Sequence, residues 1–186
     1  MQPASRDTER AMSKEKRDLL DSLVLRAPAV GTAFTAGLVR LKLGSPLRRR
    51  LMPYAIKRGF SAMARSDMDV NVLLYEPGTE VWMHGMDSVG VGGCFRGREG
   101  VRALYREIDD AFDPWGWTID RLVDSGDRLA VRGDFVAYGR GSGVKTELTS
   151  GGTVMVLSSR GKITRQEWFV EQNGWKQALE AAGLAG

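Results

Sequence analysis

The chain has 186 residues, 42% of them hydrophobic, and a formal net charge of +4. That is enough apolar material for one domain with a sizeable core, and the absence of any run of about 18 uncharged apolar residues excludes a membrane-spanning helix. A single cysteine, Cys94, excludes an intramolecular disulfide; with no secretory signal visible at the N-terminus, we expect a cytoplasmic protein.

Positive charge is concentrated at the front of the chain. The first 60 residues carry 13 Lys or Arg and 5 Asp or Glu, a balance of +8, whereas the rest carry 14 and 18, a balance of −4. The densest cluster, Arg48-Arg49-Arg50 near Lys57-Arg58, fits either contact with nucleic acid or anionic lipid, or a basic helix face lying on an acidic body or in solvent. No aromatic residues for base stacking are interleaved, so we expect no nucleic-acid partner.

Helical patterns dominate the first third of the sequence. Residues 8 to about 25 combine i,i+4 charge pairs with a short apolar stripe, and a second, less regular segment follows Pro28 to about residue 43. Ser45-Pro46 is typical of a helix start, with serine as the N-cap and proline at the first helical position. This third helix is predicted to reach about residue 65, and Pro53 should either kink it or mark its true beginning.

The middle of the chain predicts the first strand and a long helix. A short helix over residues 68–75 is followed by a turn at Pro77-Gly78 and a strand over residues 79–83 that extends towards His84. A second short strand is predicted at Cys94-Phe95-Arg96. Residues 97–112 carry an apolar stripe with helical spacing, which includes Tyr105.

The C-terminal part of the chain predicts a sheet. Four strand-like segments, over residues 117–123, 128–138, 144–157 and 162–170, are joined by glycine-rich turns, and a final helix covers residues 175–184. The predicted fold class is α+β: a curved antiparallel sheet with helices covering its concave face, preceded by an N-terminal helical extension.

From about residue 46 onward the chain resembles the SnoaL-like branch of the nuclear-transport-factor-two-like superfamily. The resemblance rests on the order of short motifs: Arg65-Ser66-Asp67, Leu74-Tyr75-Glu76-Pro77, the helix from Gly97, Gly126-Asp127-Arg128, the glycine-serine hairpin at 139–143, Gly161-Lys162-Ile163 and the closing ALEAAGL. It implies a cone-shaped domain over residues 46–186, an extension over residues 1–45, a hydrophobic cavity for a small apolar molecule, and a homodimer through the outer sheet face. Fold alone implies no reaction.

The ketosteroid isomerase pattern of this superfamily can be tested residue by residue. That chemistry needs an acidic base on the first strand and an oxyanion hole made by a tyrosine and a second acid. Counted from the matching motifs, the tyrosine position falls at Gly59, the base at Met83 and the second acid at Thr153. None of these side chains can do the required work, so the sequence disfavours steroid-isomerase chemistry.

The remaining polar candidates lie on predicted strands. His84, the only histidine, is a candidate general base if it points into the cone, and otherwise a solvent-exposed residue at a strand end. Arg132 and Asp134 share one face of a strand, where they either form a buried catalytic pair that orients a ligand or belong to the polar outer face of the sheet. Glu171, at the end of the last strand, is a further candidate for the cavity.

Aromatic residues supply the candidate cavity lining. Trp82, Trp117, Trp168 and Tyr105 suit a flat apolar ligand, although the same residues would serve equally well in the core or at an interface. One histidine and one cysteine cannot build a zinc site, and no phosphate-binding glycine loop is present. We therefore expect no metal and no cofactor.

Two functions remain open. The first is a cofactor-independent isomerase, cyclase or hydrolase acting on a small apolar metabolite, which requires an ionisable pair converging inside the cone. The second is a non-catalytic binding or interaction module, which predicts an apolar cavity with the charged candidates turned outward.

Overall fold

A computed structural model describes residues 19–184. Its helices are α1 (Leu19–Arg26), α2 (Pro28–Arg40), α3 (Pro46–Ala64), α4 (Met68–Asn71), α5 (Gly97–Ala111) and α6 (Gly174–Ala181), with short 3-10 turns at Val72–Leu74 and Asp87–Val89. Its strands are β1 (Tyr75–His84), β2 (Gly93–Arg96), β3 (Phe112–Asp124), β4 (Arg128–Gly139), β5 (Lys145–Leu157) and β6 (Ile163–Phe169). No helix in the described range is long and apolar enough to cross a membrane.

The six strands form one curved, unclosed sheet in the order β2-β1-β6-β5-β4-β3. All neighbours are antiparallel except β1 and β6, which run parallel because the chain crosses from one to the other through the rest of the domain. The predicted fold class is confirmed: an α+β cone with helices over its concave face and further helices in front.

Strand alternation separates an inner from an outer face of the sheet. Along β4, Leu129, Val131 and Phe135 are buried in the main core, on the inner face that α3 and α5 cover. The intervening Arg132 and Asp134 lie on the outer face. The sequence predicted that neighbouring residues of β4 point to opposite faces of the sheet, and the structure shows which of the two faces is the inner one.

The last helix packs on the outer face, not over the concave one. Ala178 and Ala182 of the C-terminal segment contact Ala130, Val154 and Phe169 in a second, smaller apolar cluster. Gly152 permits this approach, because a Cβ atom there would lie 2.5 Å from the carbonyl oxygen of Gly174. Part of the outer face, which we expected to form a dimer contact, is therefore covered by the chain itself.

The predicted N-cap of α3 is confirmed, while the first strand begins earlier than predicted. Ser45 accepts a hydrogen bond from the Arg48 amide, Pro46 is the first residue of α3, and Pro53 lies inside that helix. Pro77-Gly78 is not a turn but part of β1, where the register with β6 shifts between Tyr75 and Glu80. An irregular strand accommodates proline without a turn because the unpaired segment needs no ladder donor.

The helical extension closes the front of the cone. Of the helix predicted over residues 8–25, residues up to 18 lie outside the described range, and α1 begins at Leu19. Leu38 of α2 is 3% exposed and belongs to the main core. At Gly161, between β5 and β6, a Cβ atom would overlap the backbone of Thr35, so α2 and this hairpin touch directly.

Arg48 fastens the extension to the sheet. Its guanidinium group, 2% exposed, bonds both oxygens of Asp124 at 2.7 and 2.8 Å and the carbonyl oxygens of Val39 and Leu41 at 2.8 and 3.0 Å, and it also donates to the Gly126 carbonyl. Of the basic cluster, for which a helix face lying on an acidic body or in solvent was one expectation, Arg48 is buried against Asp124, while Arg49 and Arg50 are exposed.

Candidate functional site

An apolar cavity of about 80 Å³ lies between the inner face of the sheet and the helices α2 and α3. We call it the inner cavity. Aliphatic and aromatic side chains from α2, α3, β5 and β6 form most of its wall, including Leu38, Met52, Phe60, Met155 and Trp168. Its polar lining is confined to Thr35, Asn71, Tyr75, Tyr105 and Gln166. Among the described residues, no Asp, Glu, His, Lys or Arg lines this space.

The polar side of the inner cavity is a chain of neutral hydrogen bonds. The hydroxyl of Tyr75, at the start of β1, donates to Oε1 of Gln166 at 2.6 Å. Gln166 Nε2 in turn donates to the hydroxyl of Thr153 on β5 at 3.2 Å. All three residues are less than 3% exposed, so the network is fixed by packing as well as by hydrogen bonds.

Tyr105 on α5 lies beside this network. Burial raises the pKa of Tyr105 to about 12, although its contacts with the Tyr75 hydroxyl and the Asn71 amide oppose the shift. Burial, followed by the interaction with Tyr105, raises the pKa of Tyr75 well above its usual range. Both hydroxyls are therefore neutral near physiological pH, and they offer hydrogen bonds rather than charge.

One buried N–H group of a cavity-lining residue, Nε1 of Trp168, has no acceptor within residues 19–184, and its side chain is 4% exposed. The Asn71 amide, 3% exposed, is next to the Tyr105 hydroxyl. An unsatisfied buried donor costs about 1–3 kcal/mol, so Trp168 Nε1 favours a bound oxygen acceptor.

A larger space adjoins the inner cavity on the side of the extension. This outer chamber, about 410 Å³, lies between α1 and α2 on one side and α3, α4 and the Val72–Leu74 turn on the other. The two spaces share the wall residues Thr35, Ala55, Gly59, Leu74 and Gly161. Within this shared wall the Leu74 side chain lies 3.2 Å from where a Cβ atom of residue 59 would be. The two spaces are therefore neighbours, with Gly59 and Leu74 packed closely between them.

The predicted aromatic lining is only partly at the cavity. Tyr105 and Trp168 line it, whereas Trp117 lies deeper. Trp117 packs against Trp168, with ring centroids 5.1 Å apart, and against Phe135. Around Met83, where steroid isomerases require a base, these rings leave only about 10 Å³. The bottom of the cone is therefore occupied by packed core side chains.

His84 and Trp82 lie on the outer face of β1, so His84 does not point into the cone. The His84 ring stacks on Phe169 at 4.9 Å, with the Trp82 ring 6.4 Å away on a nearly parallel plane. Its Nε2 atom lies 3.5 Å from a carboxylate oxygen of Glu167. Glu167 thus supplies the neighbouring carboxylate that a catalytic histidine would need, but neither His84 nor Glu167 lines the inner cavity or the outer chamber.

Arg132, Asp134 and Glu171 also lie outside both cavities. Arg132 forms a two-pronged ion pair with Asp120 at 2.7–3.0 Å, and Asp134 accepts a hydrogen bond from the Ser150 amide. Glu171 lies in the loop before α6, where it accepts a hydrogen bond from the Gly174 amide through its backbone carbonyl. Their predicted roles at a ligand inside the cone therefore lack the geometry they require.

Replacing His84 with alanine is expected to lower the free energy of unfolding by about 0.5–1.5 kcal/mol, since the ring contact with Phe169 is lost. Ligand binding in the cone should not change, because the ring lies across the sheet from both cavities. Thermal unfolding and a binding titration of the same preparation measure both effects. Loss of ligand binding in a stably folded His84→Ala variant would show that His84 takes part in the binding site.

Sequence reasoning missed Asn71, Tyr75 and Gln166 as cavity residues. Gln166 alternates with Glu167 along β6, and Tyr75 belongs to a motif that supported the fold resemblance, but neither pattern indicates an inward direction. Across the described residues, no group of three or more His, Cys, Asp or Glu side chains is arranged to hold a metal ion.

Comparison with known proteins agrees with this architecture. A TerC structure co-crystallised with polyporic acid superimposes with a TM-score of 0.57 at 19% identity, covering 69% of this chain and 97% of the other. A Burkholderia pseudomallei NTF2-like protein of unknown function gives 0.57 at 19% identity, with 68% and 93% covered. A Mycobacterium tuberculosis protein in complex with estradiol-17β-hemisuccinate gives 0.55 at 16% identity, with 65% and 94% covered.

These similarities are to the fold. No curated protein matches the sequence. The sequence profile of the SnoaL-like domain matches residues 56–166, which is more than half of the chain. The chain therefore belongs to the SnoaL-like domain family.

Proposed function

We propose that this protein binds a small, mainly apolar molecule in the cone and does not act on it by acid–base chemistry. The observation that carries the proposal is the neutral lining of the inner cavity. General acid–base catalysis needs a group that titrates near the working pH. Of the ionisable side chains in the described range, only Tyr75 and Tyr105 reach the cavity, and burial holds both neutral.

The polar groups suit recognition of a neutral oxygen. A carbonyl or hydroxyl oxygen of the ligand would accept from Trp168 Nε1, which lacks a partner among the described residues and belongs to the cavity lining. Binding would then remove a desolvation cost that the free protein carries, while the surrounding aliphatic wall excludes water. A few fixed donors in an apolar pocket give orientation and specificity rather than chemistry.

The ligand must extend beyond the inner cavity. Small-molecule sites usually measure about 300–1,000 Å³, and the inner cavity offers only about 80 Å³. We infer that the ligand passes through the shared wall at Gly59 and Leu74, which we call the connection, into the adjoining outer chamber of about 410 Å³; the combined space then falls within that range. Two fold relatives were crystallised with polyporic acid and a steroid derivative, which supports the general class of small organic ligand for this chain.

Gly59→Leu is expected to weaken binding of the neutral probe N-phenyl-1-naphthylamine at least tenfold. The added side chain would push into Leu74, which already lies 3.2 Å from the Cβ position, and close the connection between the two spaces. A fluorescence titration measures the effect, since the probe brightens in apolar surroundings.

Gly37→Leu is the matched control. Gly37 lies in α2 with no atom within 4 Å of its Cβ position, so the same substitution adds bulk to open space and binding should be retained. Equal affinity of both variants and the wild type would show that the probe does not use the connection. Absence of probe binding to the wild type would remove the proposed function.

A further inference from the structure

The outer chamber combines apolar walls with positive charge. Exposed apolar residues, Val30, Phe34 and Tyr54, stand at its rim at 46–52% exposure. Arg58 and Lys162 are the charged residues among its described lining, and no carboxylate lines it. A neutral apolar ligand would make no charged contact with Lys162.

Lys162 forms no salt bridge among residues 19–184: no carboxylate oxygen there lies within 4 Å of its ammonium group. The nearby Glu76 is already engaged, since it accepts a hydrogen bond from the Ser158 hydroxyl at 2.9 Å and pairs with Arg160 at 3.4 Å. Desolvation and the neighbouring Arg98 lower the pKa of Lys162, against the opposing effect of Glu76. A cation held between other cations at an apolar opening favours an anionic ligand group.

We propose that the outer chamber binds the body of an apolar monocarboxylate whose carboxylate contacts Lys162. The ligand's other end then points through the connection at Gly59 and Leu74 towards the neutral donors of the inner cavity. This inference rests on the proposed function and specifies its ligand class. Lys162 supplies the direct contact.

A single negative charge fits this site better than the alternatives. A cationic ligand group would be repelled by Lys162 and by the nearby Arg98 and Arg160. A neutral alcohol of the same length would fill the apolar walls but leave the Lys162 ammonium unpaired. A carboxylate gains a charge-assisted hydrogen bond at a partly desolvated position, where it is stronger than in water.

The test compares decanoate with 1-decanol by isothermal titration calorimetry. These probes share their chain and differ in the charged end. Lys162→Gln is expected to weaken decanoate binding about five- to tenfold, as expected for loss of one charge-assisted contact, and to leave 1-decanol binding unchanged. Lys162→Arg should stay within about twofold of the wild type, because the charge is kept. Thermal unfolding checks that each variant is folded.

Lys176→Gln is the control for a general loss of positive charge. Lys176 lies on α6, across the sheet, with its side chain 76% exposed and paired with Glu180 at 3.8 Å. Decanoate binding should not respond to it. An equal loss in both lysine variants, an equal effect on the two probes, or no binding of decanoate would overturn the inference. Binding of 1-decanol and of N-phenyl-1-naphthylamine with no role for Lys162 would leave the proposed function standing while the carboxylate assignment falls.

Discussion

Replacing Arg48 with methionine is expected to lower the free energy of unfolding by about 3–5 kcal/mol, the range for breaking a buried ion pair from one side. Arg48 is 2% exposed, and its guanidinium group satisfies Asp124 and three backbone carbonyl groups. Methionine fills most of the volume but supplies none of the donors. Asp124, only 19% exposed, would be left without its partner. Urea unfolding followed by far-ultraviolet circular dichroism measures the change.

Arg49→Met is the matched control, because the neighbouring arginine is exposed and the substitution is identical. It should change the free energy of unfolding by no more than about 0.5 kcal/mol. Combining Arg48→Met with Asp124→Asn should cost less than the sum of the two single changes, since the second removes the stranded charge. If Arg48→Met and Arg49→Met cost the same, the buried pair does not stabilise the domain.

Gly161→Ala is expected to destabilise the protein by about 2–5 kcal/mol, the sum of a left-handed backbone conformation for alanine and overpacking against a rigid neighbour. Residue 161 has φ +71°, and the added methyl group would overlap the backbone of Thr35 in α2. A helix backbone cannot yield as a side chain can, so α2 has to move away from the hairpin. Because α2 forms a wall of both cavities, binding of the neutral probe should weaken as well.

Gly141→Ala separates these two contributions. Gly141 has φ +89° but nothing within 4 Å of its Cβ position, so the substitution carries only the conformational cost, about 1–2 kcal/mol. Its probe binding should match that of the wild type. Equal destabilisation in the two variants would mean that α2 is not held against the hairpin as the structure describes.

The fold was readable from the sequence where local signals agree. Helix α5 has a regular apolar stripe, and the strands β4 to β6 are separated by glycine turns, so element type and order follow from periodicity and turn chemistry. Ser45-Pro46 fixed the start of α3 by a local capping rule. The prediction of a turn at Pro77-Gly78 was wrong, because this dipeptide is compatible with an irregular strand as well as with a turn.

The site was less readable because it depends on which way each strand faces. Alternation places Arg132 and Asp134 on one side of β4 and Phe135 on the other, yet a single strand does not reveal which side meets the helices. Tyr75 and Gln166 are 91 positions apart in sequence and meet only through the parallel pairing of β1 with β6. Within Arg48-Arg49-Arg50, nothing in composition distinguishes the buried member from its exposed neighbours.

The position of Arg48 and Leu38 bears on where a stable fragment of this protein can be cut. The stretch that matches the family profile, residues 56–166, lacks both of these residues and also the helix that covers the outer face. Trimming to that stretch would remove Phe169, Ala178 and Ala182, expose Ala130 and Val154 to water, and leave Asp124 without its charged partner Arg48. The smallest self-sufficient folding unit is therefore longer than the span by which the family is recognised, and expression boundaries should be chosen from the packing rather than from the match.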